Sequence, residues 1–204
     1  MDAIIELALH KGYDQDEILY RAADFSPEFL PMLQEDAALL GALCKQWDAV
    51  DEDSKLDRFI EMLQGELFDT NTNPTGKLVV FSESVDTVNY LEKELKSMLH
   101  RDDILAVYST NRNRLRETIR ANFDANYKGT SSDDYNIIIT SDVLAEGVNL
   151  HRANVIVNYD SPWNATRLMQ RIGRVNRIGS TAPVIYNYMF YPSDPGDAII
   201  SLKK

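Results

Sequence analysis

Four arginines near the C-terminus, Arg167, Arg171, Arg174 and Arg177, fall in a stretch with no acidic residue between Asp160 and Asp194, in a chain whose net charge is −11. A guanidinium is planar, always charged, and presents a fork of donors that matches phosphate oxygens, so this cluster is built for an anion unless it is a solvated basic helix face. On a helix turning 100° per residue the four span an arc of about 120°, with Leu168, Ile172 and Val175 on another side. Gly173 is expected to let the backbone leave the helix, so that Arg174 and Arg177 need not follow one stripe. A second group, Thr140-Ser141-Asp142, closes an apolar run with two hydroxyls and a carboxylate. A hydroxyl there, with nearby backbone N–H groups, suits phosphate, and Gly147 allows close approach of a ligand. The same residues would equally serve as an N-cap and a glycine C-cap. Arg112, Arg114, Arg116 and Arg120 form a third, basic cluster, for which Glu117 and Asp124 are available as pairing partners.

These groups need elements to hold them. Lys77-LVVF-Ser82 is a short continuous apolar run suited to a strand buried on both faces, and SVDTVNYLEKELKSML follows with Val85, Val88, Leu91, Leu95 and Met98 at helical spacing. ILAVYS (104–109) is the next strand, RLRETIRANFDANY the next helix, and IIIT, VIVNYD and VIYNYMFY give three more strands, with 167–172 helical between the last two. Before them, Asp53 or Ser54 caps a helix, KLDRFIEMLQGELF, with Leu56, Phe59, Ile60, Leu63 and Leu67 as its core stripe, and Asp69 to Gly76 is a loop. Strand and helix in alternation predict a mainly parallel sheet covered on both faces. In such sheets ligands sit beyond the C-terminal ends of the strands, where Ser82, Ser109, Thr110, Thr140 to Asn149, and Asp160 fall.

Residues 1–53 are different. They hold 13 Asp/Glu against 3 Lys/Arg, whereas 54–204 hold 19 against 18. Their pattern gives helices, DAIIELALHK, DQDEILYRAADF and a segment opened by Ser26-Pro27, punctuated by Gly12, Pro27 and Pro31. They read as an acidic helical subdomain or connector whose charge is either solvated helix surface or a face for a basic partner. At 44% hydrophobic and 26% charged the composition excludes disorder as a whole-chain reading. One cysteine, Cys44, excludes an intramolecular disulfide and a cysteine-rich zinc site, and His10, His100 and His151 are too scattered for a metal set. No run reaches the ~18 apolar residues of a membrane span, and the first residues lack the pattern of a secretory signal, so a cytoplasmic protein is expected.

TSDVLAEGVNL and QRIGRVNRIG resemble the fifth and sixth conserved motifs of superfamily 2 helicases, and QRIGR-x-x-RIG is similar to the Swi/Snf-type translocases, including the bacterial RNA-polymerase-associated ATPase. KLVVFS resembles the fourth motif, RETIRANF the arginine-to-phenylalanine signature after it, and SKLDRFIEML the helix that opens the lobe. Ser180 stands where Swi/Snf relatives usually have Gln, and LAEGVNL is less glycine-rich than their form.

The resemblance implies a RecA-like three-layer αβα sandwich over 54–204, the second lobe of a two-lobed ATP-driven motor on nucleic acid, with double-stranded DNA as its track. It implies Arg174 and Arg177 as arginine fingers on the γ-phosphate, with Gln170 and Arg171 ordering the cleft as the rest of the catalytic set. Gly147 and Asn149 would lie near the nucleotide, and Ser82, Thr110 and Thr140 would touch nucleic-acid phosphates. A phosphate-binding loop, G-x-x-x-x-G-K-[ST], and an acidic pair for Mg²⁺ are not in this sequence: Gly76-Lys77 precedes a strand and lacks the upstream glycine. ATP with Mg²⁺ is therefore expected only with an N-terminal lobe as partner, and the chain alone is expected not to hydrolyse ATP. The alternative is a non-catalytic RecA-like binding module working through protein contacts.

Overall fold

The computed structural model describes residues 25–141 and 148–192. The two helices expected within 2–24, and the Asp142 to Gly147 part of the phosphate-binding expectation, lie outside the described residues. The chain divides into two compact units, Met1–Asp53 and Ser54–Lys204.

In the first unit a helix, α1, runs over Phe29–Asp48. It starts two residues after Pro27, and Pro31 sits in its first turn, where a missing N–H has no helical partner to lose.

The second unit begins with α2, Ser54–Gln64. Its expected stripe is buried throughout: Leu56, Phe59, Ile60 and Leu63, followed by Leu67 in a 3-10 turn, Glu66–Phe68. Then come β1 Leu78–Ser82, α3 Val85–Leu99, β2 Ile104–Val107, α4 Arg112–Phe123, β3 Ile137–Ser141, β4 Val155–Asn158, α5 Ala165–Val175 and β5 Tyr186–Met189. The sheet has the order β2-β3-β1-β4-β5, and every pairing is parallel. β1 lies between β3 and β4, with Ser82 opposite Ser141 and Phe81 opposite both Thr140 and Asn158.

Side chains alternate across the sheet, and each face collects its own helices. Leu78, Val80, Ile137, Ile139, Val155 and Val157 pack with Phe59 and Leu63 of α2 and Leu91 and Leu95 of α3. Val79, Phe81, Leu105, Ile138 and Ile156 pack with Ile119 and Phe123 of α4 and Val175 of α5. The result is the expected three-layer αβα sandwich. Each such side chain contributes about 1.5 to 3 kcal/mol when buried, so the strand ends are fixed by the core and not by the loops they carry. No helix among the described residues is long and apolar enough to cross a membrane.

Candidate functional site

α5 is entered through Asn164, whose side chain caps the helix by accepting from the Thr166 N–H at 2.7 Å. The expected single arginine face is divided. Arg171 is fully buried, and Nη1 donates to Asn158 Oδ1 at 3.0 Å and to the Asp160 carbonyl at 3.2 Å. Its guanidinium carbon stands 5.3 Å from the centre of the Phe81 ring. Arg171 shares the inward stripe with Val175, one turn on, and the end of β4 supplies acceptors that let a charged group go in with it. Arg167 is exposed and pairs with Glu83 at 3.8 Å, and Gln170 is exposed. Gly173 does not release the chain. It lies within the helix, which continues to Val175, and the sharp turn comes at Gly179, with φ +92°.

At the exits of β1 and β4 a compact polar network forms. The Ser82 hydroxyl donates to Asp160 Oδ2 at 2.5 Å, the Glu83 N–H approaches the same oxygen at 3.3 Å, and Lys55 of α2 donates to Oδ1 at 3.0 Å. Lys55 Nζ also lies 3.9 Å from the centre of the Tyr159 ring. Burial pushes the Asp160 carboxyl up, but the Ser82 hydroxyl, the Lys55 ammonium and the Glu83 N–H outweigh it and hold the group below its ordinary value of 3.8. Thr140, opposite Phe81, is buried and its hydroxyl donates to the Ser141 carbonyl at 2.8 Å. Thr110, after β2, is exposed. The hydroxyls of Ser82 and Thr140 therefore have protein acceptors in this state, and Thr110 faces solvent.

The far end of α5 carries the other expected residues. Arg177 donates through Nη1 to Asn149 Oδ1. The Leu150 N–H donates to the Arg174 carbonyl at 2.9 Å, and the Thr181 N–H to the His151 carbonyl at 3.1 Å. Ser180 closes the turn: its hydroxyl accepts from the Arg177 N–H at 3.0 Å and lies 2.9 Å from the Val175 carbonyl and 2.7 Å from that of Arg177. The 149–153 segment is itself held by Arg152, which donates to the carbonyls of Ala121 and Ser132 and pairs with Asp133 at 2.7 Å.

The structure thus gathers the expected residues into two groups along α5. Ser82, Thr140 and Arg171 lie by the strand exits with Asp160 and Lys55, while Asn149, Arg174 and Arg177 lie by the turn that enters β4. Gly147 lies outside the described residues. Of the second basic cluster, Arg120 pairs with Glu117 at 3.2 Å and Asp124 at 3.9 Å, and Arg114 and Arg116 are exposed. Lys55, Asn158 and His151 were not among the expected site residues. Lys55 had no signal beyond its place at a helix start, and Asn158 looked like one more strand residue. Among the described residues no group of three His, Cys, Asp or Glu is placed to hold a metal ion.

Residues 54–179 match the model of the helicase conserved C-terminal domain. A probable eukaryotic initiation factor 4A of Trypanosoma brucei brucei is 25% identical over 86% of this chain and 40% of its own length. An uncharacterized ATP-dependent helicase, YqhH, of Bacillus subtilis is 31% identical over 70% of this chain and 25% of its own. The ATP-dependent RNA helicase DBP2 of Candida glabrata is 28% identical over 77% and 26%. The chain therefore spans less than half the length of these relatives. Among solved structures, the C-terminal part of the Fun30 ATPase domain superposes with a TM-score of 0.58 at 21% identity, over 75% of this chain and 46% of that one. Dbp5 of S. cerevisiae bound to RNA and ADP BeF3 superposes at 0.51 and 22%, over 73% and 35%. The fold is RecA-like.

Proposed function

The chain belongs to the helicase conserved C-terminal domain family, and on that premise we propose that it is the second lobe of an ATP-dependent, Swi/Snf-like nucleic-acid translocase, supplying arginine fingers to a site completed by an N-terminal lobe. The observation that carries this reading is the pair Arg174 and Arg177 at the end of α5, with the Arg177 guanidinium outside the core and oriented by Asn149. In phosphoryl transfer the protein contributes mainly positioning and positive charge where negative charge develops, and an arginine finger is worth about 10³ to 10⁵ in rate. Gln170 orders the cleft from the exposed side of α5, and buried Arg171 does so by fixing the helix to the end of β4. Asn149, with Gly147, lies near the nucleotide.

Mg²⁺ would be held by the N-terminal lobe and would supply neutralisation of the phosphate charge. Trp163, Met169 and Ile178, exposed around the arginine segment, suit burial against that lobe. Ser82, Thr110 and Thr140 form part of the nucleic-acid track. For Ser82 and Thr140, which are fully buried, this requires the strand exits to open and each hydroxyl to exchange its present acceptor, the Asp160 carboxylate or the Ser141 carbonyl. Duplex DNA is the track favoured by the QRIGR-x-x-RIG wording; RNA is the second reading, favoured by the RNA helicases among the relatives. Residues 1–53 act as an acidic helical subdomain or inter-lobe connector, and the protein works in the cytoplasm, on the nucleoid if bacterial. The non-catalytic module remains the competing reading, favoured only by the acidity of that segment.

The test is ATP turnover by the parent protein with both lobes, with and without nucleic acid. Arg174→Ala and Arg177→Ala are expected to lower stimulated turnover by about 10³-fold or more with an unchanged melting temperature. Unchanged turnover in both overturns the finger assignment, and hydrolysis by the isolated 204-residue chain overturns the half-site reading.

A further inference from the structure

His151 is fully buried, and the turn that carries Arg177 is closed over it. Its carbonyl accepts from the Thr181 N–H at 3.1 Å, and the Thr181 hydroxyl lies 3.3 Å from the same oxygen. Its ring lies beneath Gly179, on the side where that glycine has no side chain: a Cβ there would stand 3.7 Å from His151 Nε2 and 3.5 Å from the Asn126 amide. Asn126 Nδ2 faces Nε2 at 3.0 Å, a pairing that suits a neutral ring with Nε2 accepting and the proton on Nδ1. That proton lies on the side of Asp124, whose Oδ1 is 3.7 Å from Nδ1.

The floor under this ring is hydrogen-bonded. Asn126 is held by its N–H to Asp124 Oδ1 at 3.0 Å, and the Arg152 N–H, next in sequence to His151, donates to the Phe123 carbonyl at 2.9 Å. The turn of five residues is thus tied to the His151 carbonyl and seated over its imidazole, on the same short segment whose Asn149 orients the Arg177 guanidinium. Burial lowers the imidazole from its ordinary value of 6.5, Asp124 counters and Arg177 adds to the lowering, so the neutral ring that this geometry needs is the favoured one.

We infer that His151 is a positioning residue for Arg177, its imidazole setting where the finger-bearing turn sits. The inference rests on the finger reading, because only a misplaced finger turns a small displacement into a loss of rate, which reaches about 100-fold for a shift of about 1 Å.

The experiment is a mutant cycle in the two-lobed parent protein. His151→Leu is expected to lower kcat for ATP at least about tenfold with KM within about twofold, and His151→Gln, which keeps an acceptor and a donor, to restore kcat to within about threefold. In an Arg177→Ala background, His151→Leu is expected to change kcat by less than about twofold, because the group it positions is gone. Equal losses in both backgrounds, or an unaltered kcat in the single variant, overturn the inference. Where His151→Leu does not fold, Asn126→Ala, which leaves the ring but removes its Nε2 partner, is read by the same cycle. A second measurement separates this inference from the finger reading itself. In the 204-residue chain the Arg177 Nε–Hε resonance is expected to move in His151→Leu and hold its place in His151→Gln. A resonance unmoved in both overturns the positioning role whatever happens to turnover, while unchanged turnover in Arg177→Ala overturns the finger role of Arg177 alone.

Discussion

The hydroxyl of Ser82 donates to the carboxylate of Asp160 at 2.5 Å, joining the exits of β1 and β4 across 78 residues of chain. The same carboxylate holds Lys55 of α2, and the carbonyl of the same residue holds Arg171 of α5. Asp160 therefore links helices from both faces of the sheet at the edge where a ligand is expected, and its charge state bears on stability and on the shape of that edge.

Asp160 is held below its ordinary pKa in the folded protein, so its contribution to stability is present above the unfolded value and is lost as pH falls through the folded one. Asp160→Asn is expected to cost about 1 to 3 kcal/mol at pH 7, the range for weakening hydrogen bonds to a charged group. The gap between wild type and variant narrows as pH drops below 3.8, the ordinary carboxyl value. Melting temperatures from pH 7 to pH 3 check this, and a gap that widens in acid contradicts it.

Arg171 has no exposed surface, and its truncation empties a large site while stripping Asn158 Oδ1 of its donor. Arg171→Ala is expected to lose about 3 to 5 kcal/mol, and Arg171→Lys, which refills the stem but not the fork, about 1 to 2 kcal/mol. Urea unfolding of the chain reads both, and a neutral Arg171→Ala would show that the arginine is not a structural tie.

Gly173 and Gly179 respond in opposite directions to alanine. Gly173 is helical with nothing within 4 Å of a built Cβ, so Gly173→Ala is expected to gain about 0.5 to 1 kcal/mol. Gly179 has φ +92° and a Cβ there meets only ordinary contacts, so Gly179→Ala is expected to lose about 1 to 2 kcal/mol through the backbone alone. The two melting temperatures should bracket the wild type.

Nucleic-acid binding by the parent protein is expected to weaken as salt rises, because phosphate contacts release counterions, with a slope in log K against log salt of about −0.9 per phosphate neutralised on duplex DNA. Titrating duplex DNA and RNA between 50 and 200 mM salt, roughly the span over which such affinities collapse, separates the two tracks. Affinity that is flat in salt for both would favour the protein-binding module.

The layered fold was legible in the chain because it is written in short-range pattern. The continuous run Leu78–Ser82 can hide only between two covered faces, and the stripe from Leu56 to Leu67 can only face a core. The arginines at the end of α5 were legible by type and spacing. Their division was not. Whether a helical arginine turns inward depends on what the neighbouring strand offers, and Arg171 is buried because Asn158 and the Asp160 carbonyl, 13 and 11 residues earlier, stand there to accept from it. Gly173 was expected to let the backbone leave the helix because glycine is conformationally free, but α5 runs on through it to Val175, and the Arg174 carbonyl accepts from Leu150. Residue types and order thus determined the family and the sheet, and placed the arginine cluster in the chain. The tertiary structure alone decided which arginine serves the fold and which is held out beside Asn149, since those partners meet only when distant segments pack.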